Sequence, residues 1–177
     1  MKDQLIETYE ILETDAFTWL ETAEGLRLSA ALSWSALREM WNESQTVPGV
    51  RERKLAYAGS FMLLTAFAVE NACRGIATLT KPTGWRYLAD RRGGHDLRNT
   101  VPEFVAVSDS EGDLLQRLET YLLWAGRYLL PKKAEHYVAA NELRLRTVRP
   151  GDMALADALF GKLRAALQRA YDESRQA

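Results

Sequence analysis

The chain has one cysteine, Cys73, and two histidines in 177 residues. A lone thiol makes no internal disulfide, and so few soft ligands make no zinc set. Five prolines and 11 glycines, mostly at separated places, exclude a disordered or low-complexity chain. Long apolar runs are also missing. The longest uncharged stretch, Leu55 to Val69, has 15 residues and includes Gly59, Ser60 and Thr65. That is short of the roughly 20 apolar residues that a bilayer requires. The opening MKDQLIETYE lacks the apolar core of a signal peptide. No alternating β-branched run of useful length is present, so strands are not expected. Also missing are the phosphate-cradling G-x-x-x-x-G-K-[ST], a G-x-G-x-x-G after a strand, and the G-x-S-x-G elbow. These absences lead to an expectation of a cytoplasmic protein with no membrane association, no cofactor and no metal site.

What is present is ordinary globular material, 47% apolar and 27% charged, in one chain long enough for a real core. Residues 1–177 therefore read as a single domain. The net charge of −1 hides an asymmetry. Residues 1–47 carry 3 basic and 9 acidic side chains, residues 48–100 carry 9 and 4, and residues 101–177 carry 11 of each. Two solvated faces of opposite sign account for this, and so does a local basic surface for an anionic partner. The composition as a whole is not that of a strongly basic nucleic-acid binder.

Helical periodicity dominates. Leu5, Tyr9, Leu12, Ala16, Trp19, Leu20 and Ala23 form one stripe, with Gly25 as its expected break. Leu26, Ala30, Trp34, Leu37, Met40 and Trp41 form the next, up to Val47-Pro48-Gly49. A helix from about Arg51 to Thr80 is apolar nearly all round, which places it in the middle of a bundle. A short turn is expected over Trp85–Ala89, and a short helix N-capped by Asp96 running to about Val105. A firm helix follows over about Glu111–Leu130, then a short one between Lys132 and Val148. The last helix starts at Pro150-Gly151-Asp152. The expected fold is all-α, an antiparallel helical bundle with extra short helices.

Three polar clusters stand out. Glu70, Asn71 and Arg74 interrupt the most apolar helix. A buried charge needs a partner, and Glu70 and Arg74 are four apart with the acid first, the favourable orientation for a helical pair. Gly94-His95-Asp96-Leu97 reads as a helix start, with Leu97 turned to the core and His95 unexplained. Histidine is the side chain best suited to proton transfer near neutral pH. Trp124-Ala125-Gly126-Arg127-Tyr128 sets Trp124 and Arg127 beside a helical stripe. Gly126 there points to close approach of a backbone or a ligand. Cys73 lies in the apolar stripe and reads as core. Each cluster also has a plain packing account: an ion pair that fixes register, a helix start, and a packed tryptophan.

Taken in order, these segments resemble bacterial HEPN-like proteins. Residues 66–75, with Glu70-Asn71-Ala72-Cys73-Arg74-Gly75, are similar to an A-x-E-N-x-x-K-G helix. Residues 94–97 are similar to a G-H-D-L turn, and residues 124–128 to a W-A-G-R-Y-P segment. The resemblance covers roughly residues 25 to 131. It implies an up-and-down helical bundle, often a homodimer, linked with RNA or nucleotide binding, RNA cleavage, and bacterial defence or toxin–antitoxin systems. The residues it marks for binding are Glu70, Asn71, Arg74, Asp96, Trp124, Arg127 and Tyr128, with His95 as the catalytic candidate. There are departures. Arg74 stands for lysine, and Leu129 and Leu130 precede Pro131. The Arg-x4–6-His spacing of HEPN ribonucleases is absent, since Arg91 and Arg92 lie too close to His95, Arg86 too far from it, and Arg127 too far before His136. Three readings follow: an RNA-, nucleotide- or protein-binding domain; a metal-independent ribonuclease using His95 with Arg74 or Arg127; and a structural helical subunit.

Overall fold

The structure is a computed structural model that describes residues 2–44, 46–89, 95–126 and 131–176, with Lys2 and Asp3 as backbone alone. Its regular elements are helical, and no strand occurs among the described residues. They are α1 (Lys2–Thr14), α2 (Ala16–Glu39), α3 (Val50–Thr80), α4 (Arg86–Ala89), α5 (Leu97–Thr100), α6 (Asp109–Thr120), α7 (Ala134–Glu142) and α8 (Asp152–Ser174).

The first break falls at Asp15, not at Gly25. The Asp15 carboxylate accepts the Phe17 N–H at 3.0 Å and the Thr18 hydroxyl at 2.8 Å, so it caps a new helix. Gly25 is passed without interruption, because one glycine costs a long, well-packed helix only about 1 kcal/mol. Gly49, at φ 77°, supplies the left-handed residue from which α3 starts.

Helix α3 is the centre of the bundle, as its all-round apolar character predicts. Phe61, Met62, Ala66, Val69, Ala72, Cys73 and Ile76 are buried against α2, α6 and α8. An 18-residue window of this 31-residue helix is apolar enough to pass for a membrane span, as core helices often do. At Gly75 both α8 and the start of α2 come close to α3. A Cβ there would lie 2.7 Å from Leu167 Cδ1, 3.0 Å from the Ala16 carbonyl oxygen and 3.3 Å from Trp19 Cβ. The missing side chain thus brings Trp19 onto the turn of α3 that carries Arg74.

The far end of the bundle is tied by an ion pair absent from the sequence reading. Arg117 is fully buried, and its guanidinium meets the Asp152 carboxylate at 2.5 and 2.7 Å and the Thr147 carbonyl at 3.1 Å. Burial alone would favour a neutral Arg117, but Asp152 and Asp113 more than offset it and hold the guanidinium protonated. The helix expected over 111–130 changes character at Tyr121. Residues Tyr121–Ala125 form a π turn, closed by the Gly126 N–H on the Tyr121 carbonyl at 3.1 Å. A Cβ on Gly126 would sit 2.9 Å from Leu63 Cδ1. The close approach signalled by this glycine is therefore to α3.

Candidate functional site

Glu70 is 4% exposed, one turn before Arg74 on α3. Its Oε1 accepts a hydrogen bond from Arg74 Nη2 at 2.5 Å, and its Oε2 lies 2.8 Å from His95 Nδ1. An ionised carboxylate has only acceptors, so the imidazole presents Nδ1–H to it. In the neutral ring this leaves Nε2 as the basic nitrogen. The Arg74 and His95 side chains are each about four-fifths buried, and both retain some exposed surface. One buried acid thus holds a fixed cation and a titratable ring side by side.

The Arg74 guanidinium lies against two indoles, 5.4 Å from the Trp19 ring and 5.6 Å from the Trp85 ring, and the two rings meet each other at 5.6 Å. Arg86 also lies over the Trp85 ring, at 5.3 Å, and is ion-paired to Glu13 at the end of α1. Trp19 is oriented by its indole N–H, which donates to the Glu13 carbonyl at 3.1 Å. Sequence reasoning assigned Trp19 to an apolar stripe and Trp85 to a plain turn, and gave Glu13 and Arg86 no role. The local signal was a charged residue next to a tryptophan at 85–86. The partner that gives it meaning is more than 70 residues away.

The remaining marked residues lie elsewhere or act locally. Asn71 donates to the Phe67 carbonyl of its own helix at 2.8 Å. The Asp96 side chain caps no backbone N–H of α5. It holds Asn99 Nδ2 at 2.9 and 3.0 Å, and the short helix gives way at Val101 to a 3-10 turn containing Pro102. Trp124 is buried in a satellite cluster with Ala140 and Leu145, with Tyr137 beside it and Arg146 stacked on its ring at 5.3 Å. Gly126 packs on Leu63, eleven residues before Arg74, which at 1.5 Å per residue is about 16 Å along α3. Trp124 therefore does not join Glu70, Arg74 and His95. Gly94, Arg127 and Tyr128 lie outside the described residues.

Cys73 is fully buried beside this site. Burial first, and the nearby Glu70 carboxylate second, push its thiol far above the ordinary range, so it supplies no thiolate near neutral pH. Among the described residues no three His, Cys, Asp or Glu side chains gather as a metal would require. Compared with known proteins, the chain matches no family model, no curated protein and no solved structure.

Proposed function

We propose that the chain is a HEPN-like helical protein that binds RNA or a nucleotide where Glu70, Arg74 and His95 meet. One observation carries this reading: a buried carboxylate spends both of its oxygens on positioning a guanidinium and an imidazole at the edge of the core. Buried ion pairs contribute little net stability compared with apolar packing. A carboxylate with two such partners makes more sense as a device that orients them. A fixed guanidinium suits a phosphate, and the flanking indoles suit bases. The Arg-x4–6-His spacing is missing from the sequence, but Arg74 and His95 stand on one carboxylate without it.

A second reading has one specific observation in its favour. With Nδ1 on Glu70, His95 has the arrangement of an oriented general base. In a metal-independent ribonuclease, Nε2 would take the proton of a ribose 2′-hydroxyl. The 2′-oxygen would bond to the adjacent phosphorus, and the 5′-oxygen would leave with a proton, giving a 2′,3′-cyclic phosphate. Arg74 would offset charge on the phosphoryl oxygens.

The resemblance also suggests a bacterial defence or toxin–antitoxin setting in the cytoplasm, with a protein partner and pairing of two copies. The opposite charges of residues 1–47 and 48–100 support pairing. The test is anisotropy with labelled single-stranded RNA, followed by analysis of the RNA ends with a chelator present. Binding is expected to weaken about tenfold or more in Arg74→Gln and His95→Gln, in line with the loss of one charge-assisted contact. Wild-type affinity in both folded variants overturns the binding reading. Cyclic phosphate ends lost in His95→Gln would select the ribonuclease.

A further inference from the structure

A pocket of about 550 Å³ lies where the end of α2 meets the start of α3 and residues 146–148. Leu37, Leu55, Ala58 and Val148 give it an aliphatic wall, with Trp41 beside them. Arg51, Lys54, Arg146 and Thr147 complete the lining. Mostly apolar walls with a few polar groups, at this size, are those of small-molecule sites. The wall is open to solvent, since Trp41 is 37% and Leu55 is 63% exposed.

Three cations line this pocket, and no acid does. Arg51 and Arg146 are exposed and Lys54 is half-buried, so a solute reaches all three. Lys54 Nζ donates to the Trp41 and Glu43 carbonyls at 3.0 and 2.6 Å. An ammonium has three donors, so these two bonds hold it in place and leave one donor free. The Arg146 guanidinium is held as well, 5.3 Å from the Trp124 ring and 5.9 Å from the Tyr137 ring. Ring contacts occupy the faces of a guanidinium and leave its N–H fork for an anion. None of the three is ion-paired to a carboxylate among the described residues.

The lining therefore selects an anionic head, and it also narrows the body. Its only side-chain acceptor is the Thr147 hydroxyl, whose own proton goes to the Arg144 carbonyl at 2.7 Å. A nucleoside brings N–H and O–H donors that find few acceptors here. An alkyl chain brings none, and the aliphatic wall covers it. A carboxylate matches a guanidinium fork through both oxygens. The pocket is also separate from the site at Arg74. Lys54 and Arg74 stand twenty residues apart on α3, which is about 30 Å along the helix and roughly 200° around it.

We propose that this pocket binds an alkyl carboxylate, a medium-chain fatty acid, with its head among Arg51, Lys54 and Arg146 and its chain along Leu37, Leu55, Ala58 and Val148. This ligand is a second one, independent of the RNA or nucleotide reading.

The experiment is calorimetric titration of the full chain with decanoate, octanoate, decanol and adenosine monophosphate. Decanoate is expected to bind about tenfold tighter than decanol, the scale of one charge-assisted contact. Octanoate should bind about tenfold more weakly than decanoate, because it buries two fewer methylenes. Adenosine monophosphate should bind more weakly than decanoate. Arg51→Gln combined with Arg146→Gln should bring decanoate down to the affinity of decanol. Leu55→Gln should weaken decanoate and decanol alike. These three positions are exposed, so the variants test the pocket without endangering the fold. Arg74→Gln should leave decanoate binding as in the wild type, which keeps this result apart from the RNA assay. Absence of decanoate binding overturns the proposal, and so does equal affinity for decanoate and decanol. Tighter binding of adenosine monophosphate overturns it in favour of a nucleotide. Wild-type decanoate affinity in the pocket variants, or its loss in Arg74→Gln, places the acid elsewhere and overturns it too.

Discussion

Glu70 has two partners to lose, and they are unequal. Arg74 carries a permanent charge, so Arg74→Ala leaves a buried carboxylate with only an imidazole to neutralise it. The expected cost is about 3–5 kcal/mol, that of a broken buried pair. His95→Ala leaves the Arg74 contact intact, and about 1–3 kcal/mol is expected for one lost hydrogen bond to a buried charge. Urea melts of the two variants near neutral pH measure both values. An equal loss in the two would mean that the imidazole carries the charge balance of Glu70, a structural role that rules out a free base. The helical pair is legible in the sequence, because four-residue spacing places Glu70 and Arg74 on one face whatever the fold. His95 is not: it reaches the same carboxylate from 25 residues away, through a turn whose path depends on packing. Trp19 and Trp85 illustrate a further limit. An indole that stacks on a guanidinium has the same spacing as one that fills a core, and only the third dimension distinguishes them.

At the scale of elements, α6 carries the clearest device. Ser108 caps it, the Glu111 side chain returns to the Ser108 N–H at 2.8 Å, and Lys162 of α8 bonds the same carboxylate oxygen at 2.8 Å. Burial alone would raise the Glu111 pKa, but the hydrogen bonds from Lys162 and Ser108 outweigh it and set the value below the ordinary 4.5. The folded state therefore releases this proton more readily than the unfolded chain does. The stability it contributes is complete above about pH 4.5 and is lost as the pH falls through the lowered folded value. Glu111→Gln should be less stable than wild type at pH 7, and the difference should shrink on acidification below pH 4.5. Denaturant melts at pH 7 and pH 3 check this, and a constant difference would remove the carboxylate from the account. Ser108 and Glu111 have capping-box spacing, yet the sequence reading placed the start of this helix at Glu111. The break at Asp15 was missed for a related reason, since a glycine ten residues later looked like the stronger signal. The π turn at Tyr121–Ala125 leaves no periodic trace, because a single inserted residue shifts the stripe without erasing it.

For the whole molecule, the all-helical bundle and the central place of α3 were legible, because an apolar surface on every side of a helix has few other destinations. Assembly is set by what that bundle leaves uncovered. On α2, Leu28 is 57% and Leu32 is 74% exposed, one turn apart, with Gly25 and Ser29 beside them and no charge among the four. The acidic residues 1–47 contain α2 and the basic residues 48–100 contain α3, and the two helices pack against each other. A second copy turned about a twofold axis on α2 would cover both leucines. It would also set the acids of one α2 near Arg51 and Arg53 of the other, both exposed at the start of α3. We propose this homodimer, and light scattering should give twice the 20.0 kDa chain mass. The charged rim is screened by salt, so dissociation should become easier at high ionic strength while the apolar centre persists. Leu32→Glu places a charge at that centre, where the free chain exposes it to water at little cost and the dimer has to desolvate it. This variant should scatter as a single chain and melt, when dilute, within about 0.5 kcal/mol of the dilute wild type, as surface substitutions do. A wild-type mass of one chain at every concentration and salt would remove the homodimer. A Leu32→Glu protein that still pairs would move the interface off α2.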